Sequence, residues 1–498
     1  MFKISREKDV RIRVAWIAGL AACALAIALI MVPPVIGMAD SGDFGRVLSV
    51  SGFRILHPER PYDQLYFNYA QQHFGYGGYA MGGYVSTHVV LAAAAGWIGR
   101  IFNGETFDIR FLGACYAILI ALAISLFVRY APRGRTRAAD LALACMTALS
   151  LLFVFGDIGY LAYFHSFFGE PYALVALLLT IASALALSSS DRPSGKLLAL
   201  FVGAALAVAT SKIQNAPLGF AFALLAWRML CLRSDRRWKR QVWTGAAVLL
   251  AGALLMIVAA PDRLKHTNLY QSIFYGVLKD SPNLERDMNE LGIPEKYAPL
   301  AGTNYFQKGT AIPQKDPVLR REVLEKLSHG DIAAYYARHP SRFMQKLDRA
   351  AENAMHIRPY YLGNYDLSAG KPPGALTYTF SGWSRFKAEA MPRRAVAYFG
   401  LFAVYLSALA IAWLRSPPGR KRLTAETMSI VALAAMFSCA VPLIGDGEAD
   451  LAKHLFMFNV CFDLMAISVI VSAVYGAFRL AERHRTSPAA AHGRAGRA

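Results

Sequence analysis

The chain has 498 residues, of which 55% are hydrophobic and only 17% charged, and it carries a net charge of +20. Soluble domains average roughly 25% charged residues, so a soluble globule is excluded. The surplus Lys and Arg sit in short loops beside long apolar runs, which marks cytoplasmic loops of a membrane protein and not a nucleic-acid surface.

A helix needs about 20 apolar residues to cross a bilayer, and Val14–Pro33, Phe111–Phe127, Ala138–Phe155 and Val242–Ala260 are clear examples. The first run follows Lys3, Arg6, Lys8, Arg11 and Arg13, which places the N-terminus in the cytoplasm. A signal-peptide core is about 7–15 residues long; this run is longer, so it reads as an uncleaved first helix despite the weak cleavage-like Gly37-Met-Ala39. The next basic loop, Arg129–Arg137, is again cytoplasmic, so only one of Tyr84–Phe102 and Asp108–Tyr130 crosses. Tyr84–Phe102 contains Ser86, Thr87, His88 and Arg100 and follows the Gly-rich stretch Gly75–Gly83, so it reads as a helix lying in the outer interface. Helix three then ends near Asp157, helix four runs from Glu170 to Ser190, helix five exits near Lys212, and helix six returns towards Arg228. Helix seven leaves the basic loop Arg233–Arg240 and ends at Pro261; helix eight runs from Arg394 to Arg415, helix nine to Gly445, and helix ten from about His454 to Phe478.

The expectation is an all-α polytopic membrane protein with about ten transmembrane helices and a mainly helical soluble insert on the outer face. Residues 1–260 form an N-terminal membrane module, with 39–107 as its first outer loop and interface helices. Residues 261–394 are the insert, 395–480 the C-terminal helices, and 481–498 a disordered cytoplasmic tail. Turn signals at Asp280-Ser-Pro-Asn and Lys371-Pro-Pro-Gly punctuate the insert, and Val318–Leu327 and Asp331–Arg338 read as short amphipathic helices. The six cysteines (Cys23, Cys115, Cys145, Cys231, Cys439, Cys461) lie in or beside apolar runs and include no CxxC, which argues against a disulfide framework or a zinc site.

Polar residues collect at the outer ends of the helices, where charges near a membrane are usually functional or paired. Met38-Ala-Asp-Ser-Gly-Asp-Phe-Gly-Arg46 follows helix one. Asp40 and Asp43 there suit a general base, or a magnesium or manganese site should a metal take part, with Arg46 as a salt-bridge partner or phosphate ligand. The competing reading is a turn that caps the next helix. Asp157, His165 and Glu170 fall in one aromatic loop whose spacing fits no standard zinc pattern; the loop serves equally as an interfacial belt. Lys212, with Gln214 beside it, sits at an outer helix end, as a phosphate ligand or a snorkelling side chain. Gly445-Asp-Gly-Glu-Ala-Asp450 leads to Lys453 and His454, placed to meet an anionic head group, or simply solvated. Asp463 lies deeper in helix ten, as a functional group or as a structural partner of Asn459. Lys265-His-Thr-Asn268, Tyr270 and Arg358-Pro-Tyr-Tyr361 of the insert suit sugar stacking or an ordinary core. No Ser-His-Asp elbow, Walker loop or Rossmann fingerprint occurs.

An acidic motif just outside helix one, interface helices, and a second span headed by Asp108-Ile-Arg-Phe together resemble the GT-C membrane glycosyltransferases. Asp40–Gly45, His165–Tyr172, Ser272–Ser281 and Lys453–Asp463 are similar to the branch of bacterial surface-glycan hexose transferases known as WsfD-like. The resemblance spans most of the chain through short motifs. It implies a bacterial inner-membrane enzyme with both termini cytoplasmic and its active face periplasmic or extracellular. It implies a polyprenyl-phosphate sugar donor, a glycan or lipid-linked acceptor, and inverting transfer with Asp40 or Asp43 as base. Lys212, Lys453 and Arg46 would stabilise the leaving phosphate. Asp40 and Asp43 do not form a strict D-x-D, which leaves metal dependence open. A lipid-linked glycan flippase or transporter would use the same basic residues, and a glycan polymerase or ligase would take a pyrophosphate-linked donor.

Overall fold

A computed structural model describes residues 2–78, 84–259 and 261–486. The chain is a multi-pass helical membrane protein. Among the described residues, nine helices are long and apolar enough to cross a bilayer: Val10–Met31, Arg110–Arg129, Arg137–Phe155, Glu170–Ser189, Ile213–Leu232, Arg236–Val258, Ala395–Arg415, Arg420–Gly445 and Phe456–Glu482. Numbering only the helices used below, α1 is Phe2–Ala26, α2 Phe44–Ser51, α3 His88–Phe102, α4 Arg110–Arg129, α5 Arg137–Phe155, α6 Ile158–Leu161, α7 Glu170–Ser189 and α8 Gly195–Ala209. They continue as α9 Leu218–Arg228, α10 Arg236–Val258, α11 Asp262–Ser272, α12 His329–Arg338, α13 Pro340–Asn353, α14 Gly382–Ala390, α15 Ala395–Arg415, α16 Arg420–Gly445 and α17 Phe456–Thr486.

The expected span missing from these nine is helix five, here α8, only 15 residues long, which packs against α7, α9 and α10. Helix α7 carries no charge after Glu170 and is buried on nearly every face, so it forms the centre of the bundle. Helices at the basic loops begin on side-chain caps: Thr136 for α5, Ser194 for α8 and Asp235 for α10 each accept a backbone N–H of the first turn.

Helix α3 stays at one end of the bundle. At its start Thr87 Oγ1 lies 2.8 Å from Thr210 Oγ1, just past α8, and at its end Phe102 packs against Phe111 at the head of α4. One face is made of Ala92, Ala95, Gly96 and Gly99. A Cβ on Gly96 would come within 2.5 Å of the Phe53 ring, so only small residues let this face sit on its neighbours. The other face leaves Val90, Trp97, Ile101 and Phe102 exposed, as an interfacial helix requires. Beneath it lies a feature the sequence did not announce, a three-stranded antiparallel sheet of β1 Phe53–Ile55, β2 His73–Tyr76 and β3 Thr106–Asp108, in the order β1-β2-β3. Phe53, Phe74 and Phe107 from these strands gather around Phe167.

The insert divides in two. Residues between Leu269 and Tyr336 build a separate hydrophobic core, with short helices at Pro317–Leu319, extended by Arg320–Leu324, and at His329–Arg338 close to the two expected amphipathic segments. Leu347, Ala350, Ala351, Ala354, Met355, Ile357 and Leu362 belong instead to the core of the membrane bundle. Residues 487–498 of the expected tail lie outside the described residues.

Candidate functional site

The loop joining α16 to α17 carries Gly445-Asp-Gly-Glu-Ala-Asp450, and the insert clamps it. Glu448 accepts hydrogen bonds from Lys279 at 2.7 Å and Lys346 at 2.6 Å, and His329 Nε2 lies 3.1 Å from the Gly445 carbonyl. Asp450 adopts a left-handed backbone with φ of 48° at the start of the turn that delivers Lys453. The Lys453 ammonium is buried and uses all three of its donors: Asp43 at 2.6 Å, Asp450 at 2.7 Å and the Ser41 hydroxyl at 3.1 Å. Burial alone would lower its pKa; the two carboxylates outweigh that and hold it well above the ordinary lysine value.

Asp43 and Asp40, three residues apart, have different fates. Asp43 sits between two cations, with one oxygen on Lys453 and the other on Arg46. Burial pushes its pKa up, but Lys453 and Arg46 pull it below the usual carboxylate range. Asp40 Oδ1 accepts from the Gly42 N–H at 2.7 Å and the Phe44 N–H at 3.1 Å, which fixes the entry to α2. The helix-capping reading of the sequence therefore describes Asp40. Burial raises its pKa to about 6, against the opposing pull of the two N–H groups.

That value bears on stability. The folded-state pKa lies above the unfolded value of roughly 3.9, so Asp40 favours the folded state at low pH and loses that contribution as pH rises through about 6. Asp40→Asn keeps an acceptor for the two N–H groups and removes the charge. Its melting temperature is expected to match wild type near pH 4 and to exceed it above pH 7, by the equivalent of about 3 kcal/mol. Thermal melts of both proteins across this range check it; a constant offset refutes it.

Asp43, Arg46 and Lys453 face a cavity of about 710 Å³ at the insert-bearing end of the bundle. Lys212 reaches its wall from the end of α8 and is paired with Glu170, the first residue of α7. Gln214 and His454 bond to each other, through Gln214 Nε2 to the His454 carbonyl at 3.0 Å and between Nδ1 and Oε1 at 3.3 Å. His454 Nε2 lies 3.1 Å from Asp446, which also accepts from Gln271 at 3.0 Å. Seven of the expected site residues thus meet around one cavity: Asp43, Arg46, Glu170 behind Lys212, Gln214, Lys453 and His454. Asp446, Asp450, Ser41 and Gln271 complete it. The two aspartates and Ser41 belong to runs already visible in the sequence; Gln271 carries no local signal. The lining also holds apolar side chains, among them Val85, Ile213, Met256 and Leu264.

The remaining expected residues lie elsewhere. Asp157 caps α6 through the Gly159 N–H at 2.7 Å and also takes the Ser384 N–H at 2.9 Å. His165 Nδ1 bonds the Ile36 carbonyl at 2.8 Å, and burial lowers its pKa to about 4. Asp463 is fully buried against Lys387 at 2.7 Å, and its other oxygen accepts from Tyr160 at 2.6 Å and Trp383 at 2.8 Å. Asn459, the neighbour expected for Asp463, bonds the same Lys387 ammonium at 2.6 Å. All of these contacts are ones that hold the fold together.

The carboxylates do not suit a magnesium or manganese ion. Both Asp43 oxygens are held by cations and Asp40 Oδ1 by two N–H groups. Among the described residues, no cluster of three or more His, Cys, Asp or Glu is placed to ligate a metal.

Comparison with curated proteins and with solved structures yields no match. A family model does match, over residues 3–492, and its description is the YfdI N-terminal transmembrane domain.

Proposed function

The chain belongs to the YfdI N-terminal transmembrane domain family, and we propose that within this multi-pass frame it works as a glycosyltransferase, moving a hexose from a polyprenyl-phosphate donor to a glycan or lipid-linked acceptor. The observation that carries the reading is the cavity, which is amphipathic and holds three cations already matched to carboxylates. A polyprenyl-phosphate sugar has the same division: an apolar tail, an anionic phosphate and a polar sugar. The charged groups that line this cavity lie at one end of the bundle, which suits surface chemistry better than a transport path with charges at the midplane.

In this reading Asp43 is the base. Geometry ranks before proton affinity in choosing a base, and Asp43 faces the cavity whereas Asp40 is turned into the α2 cap. Donor phosphate entering the site competes for Arg46 and Lys453. As they turn towards it, Asp43 loses the charges that hold its pKa down, and its proton affinity rises. The acceptor hydroxyl gives its proton to Asp43 as its oxygen bonds to the sugar C1. The C1–O bond to phosphate breaks with its electron pair on the phosphate, and C1 inverts. Lys453, Arg46 and Lys212 meet the charge that develops there.

Arg46→Gln removes a half-exposed cation and is expected to lower kcat/KM for the donor about tenfold, or about 1.4 kcal/mol, with little change in melting. A deletion strain tests the assignment as a whole: polyprenyl-phosphate hexose should accumulate while surface glycan is under-decorated. Unchanged levels of both would overturn it.

A further inference from the structure

At the end of the bundle opposite the insert lies a second cavity, of about 630 Å³, lined by Arg11, Arg129, Arg133, Arg135, Arg137 and Arg192. The protein's own carboxylates are mostly committed. Asp140 binds Arg11 at 2.6 Å and takes the Gly134 N–H at 3.2 Å, and Asp191 pairs with Arg420 at 3.2 Å. Arg135 reaches Glu482 only at 4.0 Å, and Arg129 rests over the Tyr130 ring. Among the described residues, Arg133, Arg137 and Arg192 have neither an ion pair nor a hydrogen bond through their guanidinium groups. Like charges held around one cavity repel, and an anion entering it relieves that repulsion. Guanidinium forks match phosphate oxygens in geometry as well as charge.

The source of the phosphate follows from what borders the cavity. A small hollow on the seam of α1 and α5 adjoins it, lined by Val10, Arg11, Arg137, Asp140, Leu141 and Ala144. Leu141 is exposed one turn along α5 from Arg137, and Ile17 is exposed two turns along α1 from Val10, on the same helix face. A phosphate at Arg133 and Arg137 would therefore have apolar side chains beneath it, where acyl chains would lie. Basic pockets between spans hold anionic headgroups in this way. We propose that this arginine cavity binds the phosphate headgroup of an anionic phospholipid, independently of the chemistry at the other end.

The full-length protein is placed in phosphatidylcholine nanodiscs with or without phosphatidylglycerol, and in detergent with or without inorganic phosphate. Phosphatidylglycerol should raise the melting temperature by several degrees and remain bound in native mass spectrometry. R133Q/R137Q should lose both effects; R236Q/R237Q, in a basic loop outside the cavity, should keep them. Should R133Q/R137Q fail to fold, R192Q takes its place, with severalfold weaker lipid retention expected. Retention unchanged in the cavity variants, or lost equally in the control, overturns the site. An equal gain from inorganic phosphate overturns the lipid as its ligand.

Discussion

Replacing Lys387 with methionine is expected to destabilise the protein by about 3–5 kcal/mol, the usual cost of stranding a buried charge. Lys387 and Asp463 are both fully buried and touch at 2.7 Å. Without the lysine, Asp463 retains only the Tyr160 hydroxyl and the Trp383 N–H, neither of which neutralises it. The pair ties α14 of the insert to α17 of the bundle, so the loss should appear as detachment of the segment around Trp383. Adding Asp463→Asn removes the stranded charge and keeps an acceptor for Tyr160 and Trp383. K387M/D463N should recover most of the melting temperature lost in K387M. Equal melting of the single and double variants would show that the lysine acts through packing alone.

The second large effect is on chemistry. Asp43→Asn should lower hexose transfer by roughly 10²–10⁴-fold, the range for loss of a general base, while the protein stays folded. Asn keeps the shape of Asp43, and Lys453 still holds Asp450 at 2.7 Å. Asp40→Asn should cost less than about tenfold, because its role is to cap α2. The comparison is a transfer assay with both variants in vesicles, using a labelled polyprenyl-phosphate hexose. If D40N is dead and D43N active, the roles assigned to the two carboxylates are reversed.

The span pattern was legible because it rests on local sums. Each apolar run is contiguous, each basic loop is short, and α3 betrayed itself through His88 and Arg100. The residues around the cavity were also legible, as polar clusters at helix ends. Their partners were not. Nothing near Lys212 points to Glu170, 42 residues earlier, and nothing near Asp463 points to Lys387, 76 residues away. Such pairs are set by how helices face one another, which one sequence does not record. The sheet went unseen for a related reason: its three strands have three or four residues each, too few for a period-two pattern. Asp157 and Asp40 drew attention as carboxylates, yet a carboxylate that accepts the N–H of a glycine two residues on is also what a short helix start selects.

Helix α8 has a consequence for how a lipid would reach the cavity. Its 15 residues rise about 22 Å, against a hydrocarbon thickness near 30 Å, and the chain turns back within three residues, Thr210 to Lys212, before Ile213–Asn215 begins. If its other end is level with the opposite headgroups, the Lys212 backbone sits roughly half a leaflet's depth below its own. A polyprenyl chain could then slide sideways within the bilayer until its phosphate met Lys212, with no isoprene unit exposed to water. The bundle would act as a quay cut below the waterline, at which the donor docks without being lifted out.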